Sequence, residues 1–117
     1  MQFAILIYEP ESDVALRDDP SKAPEYWAGW TAYGQAIAAA GIMRGGEGLA
    51  PYFAGTTVRV RGGERRVQDG PYAETKEHLG GFFVIEVKDL DEALEWAARC
   101  PAAPTGSVEV RPTLTMR

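Results

Sequence analysis

The chain has 117 residues, of which 45% are hydrophobic and 25% charged, the profile of one ordinary globular domain, and this excludes wholesale disorder and fibrous architectures. Seventeen acidic residues against twelve basic ones give a net charge of −5, which argues against direct nucleic-acid binding, because general affinity for nucleic acid comes mostly from phosphate neutralisation. A single cysteine, Cys100, excludes a disulfide framework within the chain and fits a reducing compartment, and no apolar run approaches the roughly 18 residues of a membrane span. Met1–Pro10 has no basic leading segment and its apolar stretch stops at Glu9, unlike a signal peptide. The expectation is one cytoplasmic domain over residues 1–117, without membrane association.

In chain order, Gln2–Tyr8 is apolar almost throughout and predicts a central strand. Glu9–Lys22, with Pro10, Asp18, Asp19 and Pro20, reads as a loop. A helix is predicted from about Pro24 to Ala40, with Tyr26, Trp30, Tyr33 and Ile37 on one apolar face and Gly41 ending it. A short strand Ile42–Arg44 and a glycine-rich turn, Gly45–Gly48, follow. Thr56–Arg61 and Glu64–Asp69 form a hairpin across Gly62-Gly63, which sets Val58 opposite Val67 and Arg59 opposite Arg66. Gly70-Pro71 breaks the chain, Tyr72–Leu79 is irregular or one helical turn, and Gly80–Val87 is a strand. Asp89 caps a second helix with Glu92 three residues on, Leu90, Ala93, Leu94 and Ala97 form its buried stripe, and Pro101 stops it. Ser107–Arg111 is the last strand.

The order β-α-β, hairpin, β-α-β is an α+β, ferredoxin-like pattern with an inserted β-hairpin. Two helices cover only one face of such a sheet, and the strands near Ile5, Val84 and Val108 leave apolar residues on the other; a homodimer with sheets face to face would cover it. Charge is uneven: Arg44, Arg59, Arg61, Arg65 and Arg66 outweigh Glu47 and Glu64 over residues 44–66, while eight acids outweigh Lys76 and Lys88 over residues 69–95. These blocks are either two solvated faces, or complementary surfaces for self-association, or, at the arginines, a place for an anionic ligand.

The usual catalysts are sparse. His78 is the only histidine and reads as a surface residue; with one cysteine it cannot supply a metal-ligand set, so no metal and no cofactor are expected. Cys100, at a helix C-terminus, reads as a small buried filler rather than a nucleophile. Gly45-Gly46-Glu47-Gly48 lacks the lysine and hydroxyl of a phosphate-binding loop. The densest chemistry lies in Asp69–Glu77, which gathers carboxylates, a phenol, a hydroxyl and an amine. Asp69, before the Gly70-Pro71 corner, has two readings. It is a carboxylate held against Tyr72, Phe82 and Phe83 for acid-base work, or it is turn chemistry bonding the backbone nearby.

The chain resembles the YCII-related, or DGPF-domain, family. The segments that carry the resemblance are Leu6-Ile7-Tyr8, Gly46-Glu47-Gly48-Leu49, Thr57–Val60, Asp69-Gly70-Pro71-Tyr72-Ala73-Glu74-Thr75-Lys76-Glu77, Leu79–Phe82, Asp89–Ala93, Trp96–Arg99 and Val108–Pro112. Tyr72 stands where the family has the phenylalanine of its Asp-Gly-Pro-Phe motif. The resemblance implies a dimeric α+β barrel, and it matches Glu47, Asp69, Glu74 and Lys76 to family positions. One branch of the family was proposed to be enzymatic through a first-helix histidine paired with an aspartate; here that helix carries Trp27, Trp30 and Tyr33 and no histidine, so the dyad does not carry over. Some members are encoded beside extracytoplasmic-function sigma factors. The resulting expectation is a small-molecule site with Asp69 as the acid-base group, Tyr72, Glu74, Lys76 and Glu47 as ligand contacts and Trp30 and Tyr33 as aromatic lining. The alternative is a non-catalytic regulatory or partner-binding protein linked to sigma-factor signalling. A cofactor-free oxygenase rests on fold analogy alone.

Overall fold

In the computed structural model, which describes residues 1–71 and 75–114, four antiparallel strands form one sheet in the order β2-β5-β1-β6, and a separate hairpin is made of β3 and β4. The strands are β1 (Gln2–Pro10), β2 (Met43–Gly48), β3 (Thr56–Arg61), β4 (Glu64–Asp69), β5 (Glu77–Glu86) and β6 (Ser107–Pro112). The helices are α1 (Glu11–Val14), α2 (Ala23–Ala39) and α3 (Leu90–Ala98), with short 3-10 turns at Ala15–Asp18 and Tyr52–Ala54. With α2 between β1 and β2, and α3 between β5 and β6, this is the ferredoxin-like α+β topology with its inserted hairpin.

Strand β1 alternates, with Phe3, Ile5, Ile7 and Glu9 facing inward. The register lines Ile5 up with Phe83 and Val110, and Ile7 with Val108, on the face that the helices cover. Tyr33 and Ile37 of α2 pack there, Tyr33 meeting Phe83 edge to face at 5.5 Å. Ala93, Ala97, Cys100 and Ala102 bring α3 and the turn after it close to the sheet. The Tyr33 hydroxyl donates to the Trp96 carbonyl at 2.8 Å and ties the helices together. The opposite face carries Ala4, Leu6, Tyr8, Val84 and Leu79, so Ile5 and Val108 do not belong to it as the sequence pattern suggested.

Several expectations need correction. Glu9–Lys22 is not a loop: β1 runs on to Pro10, and α1 buries Val14. Gly45–Gly48 is not a turn but most of β2. A Cβ on Gly46 would lie 2.7 Å from the Phe82 carbonyl oxygen, so glycine serves here for the close approach of two strands. Strand β5 starts at Glu77 and so draws His78 into the fold at 8% exposure, opposite Glu9; it is not a surface histidine. The predicted stripe on α3 is half right: Ala93 and Ala97 are buried, whereas Leu90 and Leu94 are 48% and 47% exposed. Asp89 does cap α3, accepting from the Glu92 N–H at 2.9 Å, while the Glu92 carboxylate accepts from the Lys88 N–H at 3.1 Å.

Candidate functional site

A cleft of about 630 Å³ opens between the first turns of α2, the rim 46–51 and strand β5. Its apolar wall is Ile7, Trp27, Trp30, Phe82 and Phe83, and its polar floor is Glu9, Arg17 and Tyr26. Glu9 is the fourth inward position of β1, after three apolar ones, and its side chain is only 3% exposed. Burying a carboxylate is costly without partners. Among the described residues it has two: the Tyr26 hydroxyl donates to both of its oxygens, at 2.9 and 2.7 Å, and Arg17 Nη2 donates to Oε1 at 3.2 Å.

The guanidinium is itself fixed on several sides. Arg17 Nε donates to the Tyr26 hydroxyl at 3.2 Å, and Nη1 donates to the Leu49 carbonyl at 2.8 Å. Its plane lies over the rings of Trp27 and Tyr26, at 5.2 and 5.7 Å. Burial, reinforced by the hydrogen bond to Glu9, pushes the Tyr26 phenol up to about 12, so the phenol stays protonated and acts as a donor. Gly80 makes room for the group: a Cβ there would lie 2.7 Å from Glu9 Oε1 and 3.4 Å from Arg17 Nη2. The arrangement is a buried carboxylate with a fixed phenol and cation, facing an aromatic-walled space. It offers a small ligand an apolar wall with a polar edge of carboxylate, phenol and guanidinium.

The residues singled out from the sequence are dispersed. Trp30 lines the cleft and Glu47 stands exposed on its rim. Tyr33 does not line it; its ring is in the core and its hydroxyl is engaged with Trp96, while burial holds the phenol well above its usual range. Asp69 is exposed at the end of β4, opposite Thr56, and Tyr72, one of its expected aromatic neighbours, lies outside the described residues. Phe82 and Phe83, its expected neighbours, belong to the cleft instead. Asp69 and Lys76 share a second cavity, of about 780 Å³, with Tyr52 and His78. In that cavity the His78 ring stacks on Tyr52 at 3.7 Å, and its Nε2 meets Glu11 Oε1 at 3.3 Å. Tyr72 and Glu74 lie outside the described residues. Cys100 is buried, and burial raises its thiol to about 11, away from nucleophilic use. Among the described residues, no cluster of three or more His, Cys, Asp or Glu is placed to hold a metal ion.

Sequence reasoning missed Glu9, Arg17 and Tyr26 as a group. A signal existed for Glu9, which continues the odd-numbered inward row Phe3, Ile5, Ile7. None existed for Arg17, whose approach depends on the turn that α1 and the following 3-10 turn impose.

The sheet order and the cleft under α2 place the molecule among ferredoxin-like α+β proteins with a pocket between sheet and helix. The chain belongs to the YCII-related domain family, whose model matches residues 1–117. It is 52% identical over 66 residues to "Uncharacterized protein R00369" of Rhizobium meliloti (strain 1021), a match over 55% of this chain that spans about half, 53%, of that relative's length. Among solved structures it is similar to the 5-chloro-2-hydroxyhydroquinone dehydrochlorinase TftG of Burkholderia phenoliruptrix AC1100, in complex with 2,5-dihydroxybenzoquinone. The TM-score is 0.55 with 18% identity, over 97% of this chain and 94% of that one, a likeness of fold. No described helix is long and apolar enough to cross a membrane.

Proposed function

We propose that the protein is a cytoplasmic, small-molecule-binding homodimer whose ligand occupies the aromatic cleft, with Glu9 as the acid-base group and Arg17 and Tyr26 holding it and the ligand's polar edge. One observation carries this reading: a carboxylate almost fully withdrawn from water is kept, with a phenol and a guanidinium, on the floor of a cavity walled by aromatic side chains. A polar set of that kind is costly to fold around and is characteristic of binding sites. It displaces Asp69 as the favoured acid-base group; the Asp69–Lys76 cavity is left as a secondary surface. The dimer reading is supported by the sheet face of Leu6, Tyr8, Val84 and Leu79, which neither helix covers.

The test is a thermal-shift titration with 2,5-dihydroxybenzoquinone, a planar compound that the structural neighbour binds, against the parent chain, Trp30→Ala, Glu9→Gln and Asp69→Asn. Saturation to a hundredfold over Kd stabilises by about 2.7 kcal/mol. The parent and Asp69→Asn should shift alike, while Trp30→Ala and Glu9→Gln should not shift. No shift in the parent, or equal shifts in all four, overturns the cleft reading. Light scattering at micromolar concentration checks the dimer, and a monomer there refutes it. A second reading, a partner-binding protein in the sigma-factor setting, is favoured only by the projecting hairpin.

A further inference from the structure

The β3–β4 hairpin is an arm without a core of its own. No residue of either strand is buried, and the two strands bond only to each other as a sheet. The Cα radius of gyration is 16.0 Å, against about 13 Å for a compact chain of this length. An isolated two-stranded hairpin is at best marginally stable in water. One face of this arm is apolar: Val58, Val60 and Val67 are 60%, 60% and 55% exposed, and Arg65, directly opposite Val60, lies on the same face. Such a face calls for a cover, and the described residues of this chain leave it exposed.

A complementary surface exists on α3. Leu90 and Leu94, one helical turn apart, are about half exposed, and Asp91 and Glu95 follow them on the solvent side. Two valines at alternate strand positions are about 6.7 Å apart, and residues four apart on a helix are about 6 Å apart, so the two stripes match in spacing. The charges match as well: Arg65 flanks the valines and two carboxylates flank the leucines. Over Thr56–Asp69 four arginines outweigh two acids, and over Asp89–Arg99 four acids outweigh one arginine. We infer that the valine face of the arm docks on the leucine face of α3 in a second copy of this chain, with Arg65 against Asp91 and Glu95. The inference takes from the proposed function only that a second copy is the partner; it does not depend on what the cleft binds.

Val60 and Leu94 are both exposed, so cysteines there should not disturb folding, and the buried Cys100 should not compete. Separately purified Val60→Cys and Leu94→Cys chains, mixed under a mild oxidant, should give a cross-linked pair that neither chain gives by itself. Val58→Asp should weaken self-association roughly tenfold or more by sedimentation. Arg65→Glu and Glu95→Arg should each weaken it, and the mixture of the two should restore part of the loss. Absence of the mixed cross-link, together with unchanged association of Val58→Asp, overturns arm docking. If the chain nevertheless remains a dimer, the sheet-face contact stands and only the arm is refuted; a monomeric parent refutes both.

Discussion

Replacing Arg17 by methionine is the most direct probe of the cleft's physics. The side chain of Arg17 is 10% exposed and that of Glu9 is 3% exposed, and they are joined at 3.2 Å. Methionine fills much of the same space but leaves the Glu9 carboxylate, among the described residues, with Tyr26 as its one remaining side-chain donor. Breaking a buried ion pair from one side typically costs about 3–5 kcal/mol, because the orphaned charge keeps its desolvation penalty. At roughly 4 °C per kcal/mol for a domain of this size, the midpoint should fall by about 12–20 °C. Glu9→Gln should cost less, about 2 kcal/mol, since the amide oxygen still accepts from Tyr26 while Arg17 loses its counter-charge. The double variant carries neither charge and should be more stable than the sum of the singles implies, by about 1–3 kcal/mol. Urea unfolding of the four chains measures this cycle. Additivity within about 0.5 kcal/mol would show that the two groups do not hold each other and would refute the argument that the floor of the cleft is a coupled unit.

Gly80→Ala should lower stability by about 1–3 kcal/mol and weaken ligand binding with it, because the new methyl would lie 2.7 Å from Glu9 Oε1; a variant as stable as the parent in urea would show that the carboxylate has room to move. Asp89→Ala removes the side-chain acceptor for the Glu92 N–H and should cost on the order of 1 kcal/mol, read as a drop in the thermal midpoint. Tyr26 has a folded-state value near 12, raised by burial and by Glu9 above about 10 for a free phenol. Its contribution to stability is therefore fully present below about pH 10 and is lost as pH rises towards 12. Ultraviolet titration should find one phenol ionising near 12 in the parent, and Tyr26→Phe should remove that step.

Strands β1 and β6, most of β5, both long helices and the hairpin register were legible in the sequence, because each rests on local pattern. Gln2–Tyr8 is a continuous apolar run, Tyr26 to Ile37 keeps a helical period, and Gly62-Gly63 sets Val58 against Val67. What escaped rests on contacts between segments far apart. The glycines of β2 look like a turn until β5 lies beside them, when Gly46 proves to be the point where two backbones approach closely. His78 looks like a solvated residue between Glu77 and Leu79 until β5 is extended back to pair it with Glu9.

The cleft proposed as the binding site escaped notice in the sequence for the same reason, and it shows where to look in related sequences. The polar groups of Asp69–Glu77 are neighbours along the chain, but Asp69 itself stands exposed at the end of β4. The cleft is assembled from Glu9, Arg17, Tyr26 and Gly80, each unremarkable in its own segment and joined only by the fold. The informative feature was a violation of pattern: a glutamate at an inward position of an apolar strand. Such a residue folds only if partners of opposite character and a gap of the right size come with it. Glu9 at the end of the first inward row therefore demands a donor from the segment after that strand and a small residue on the strand beside it, and Arg17 and Gly80 meet those demands.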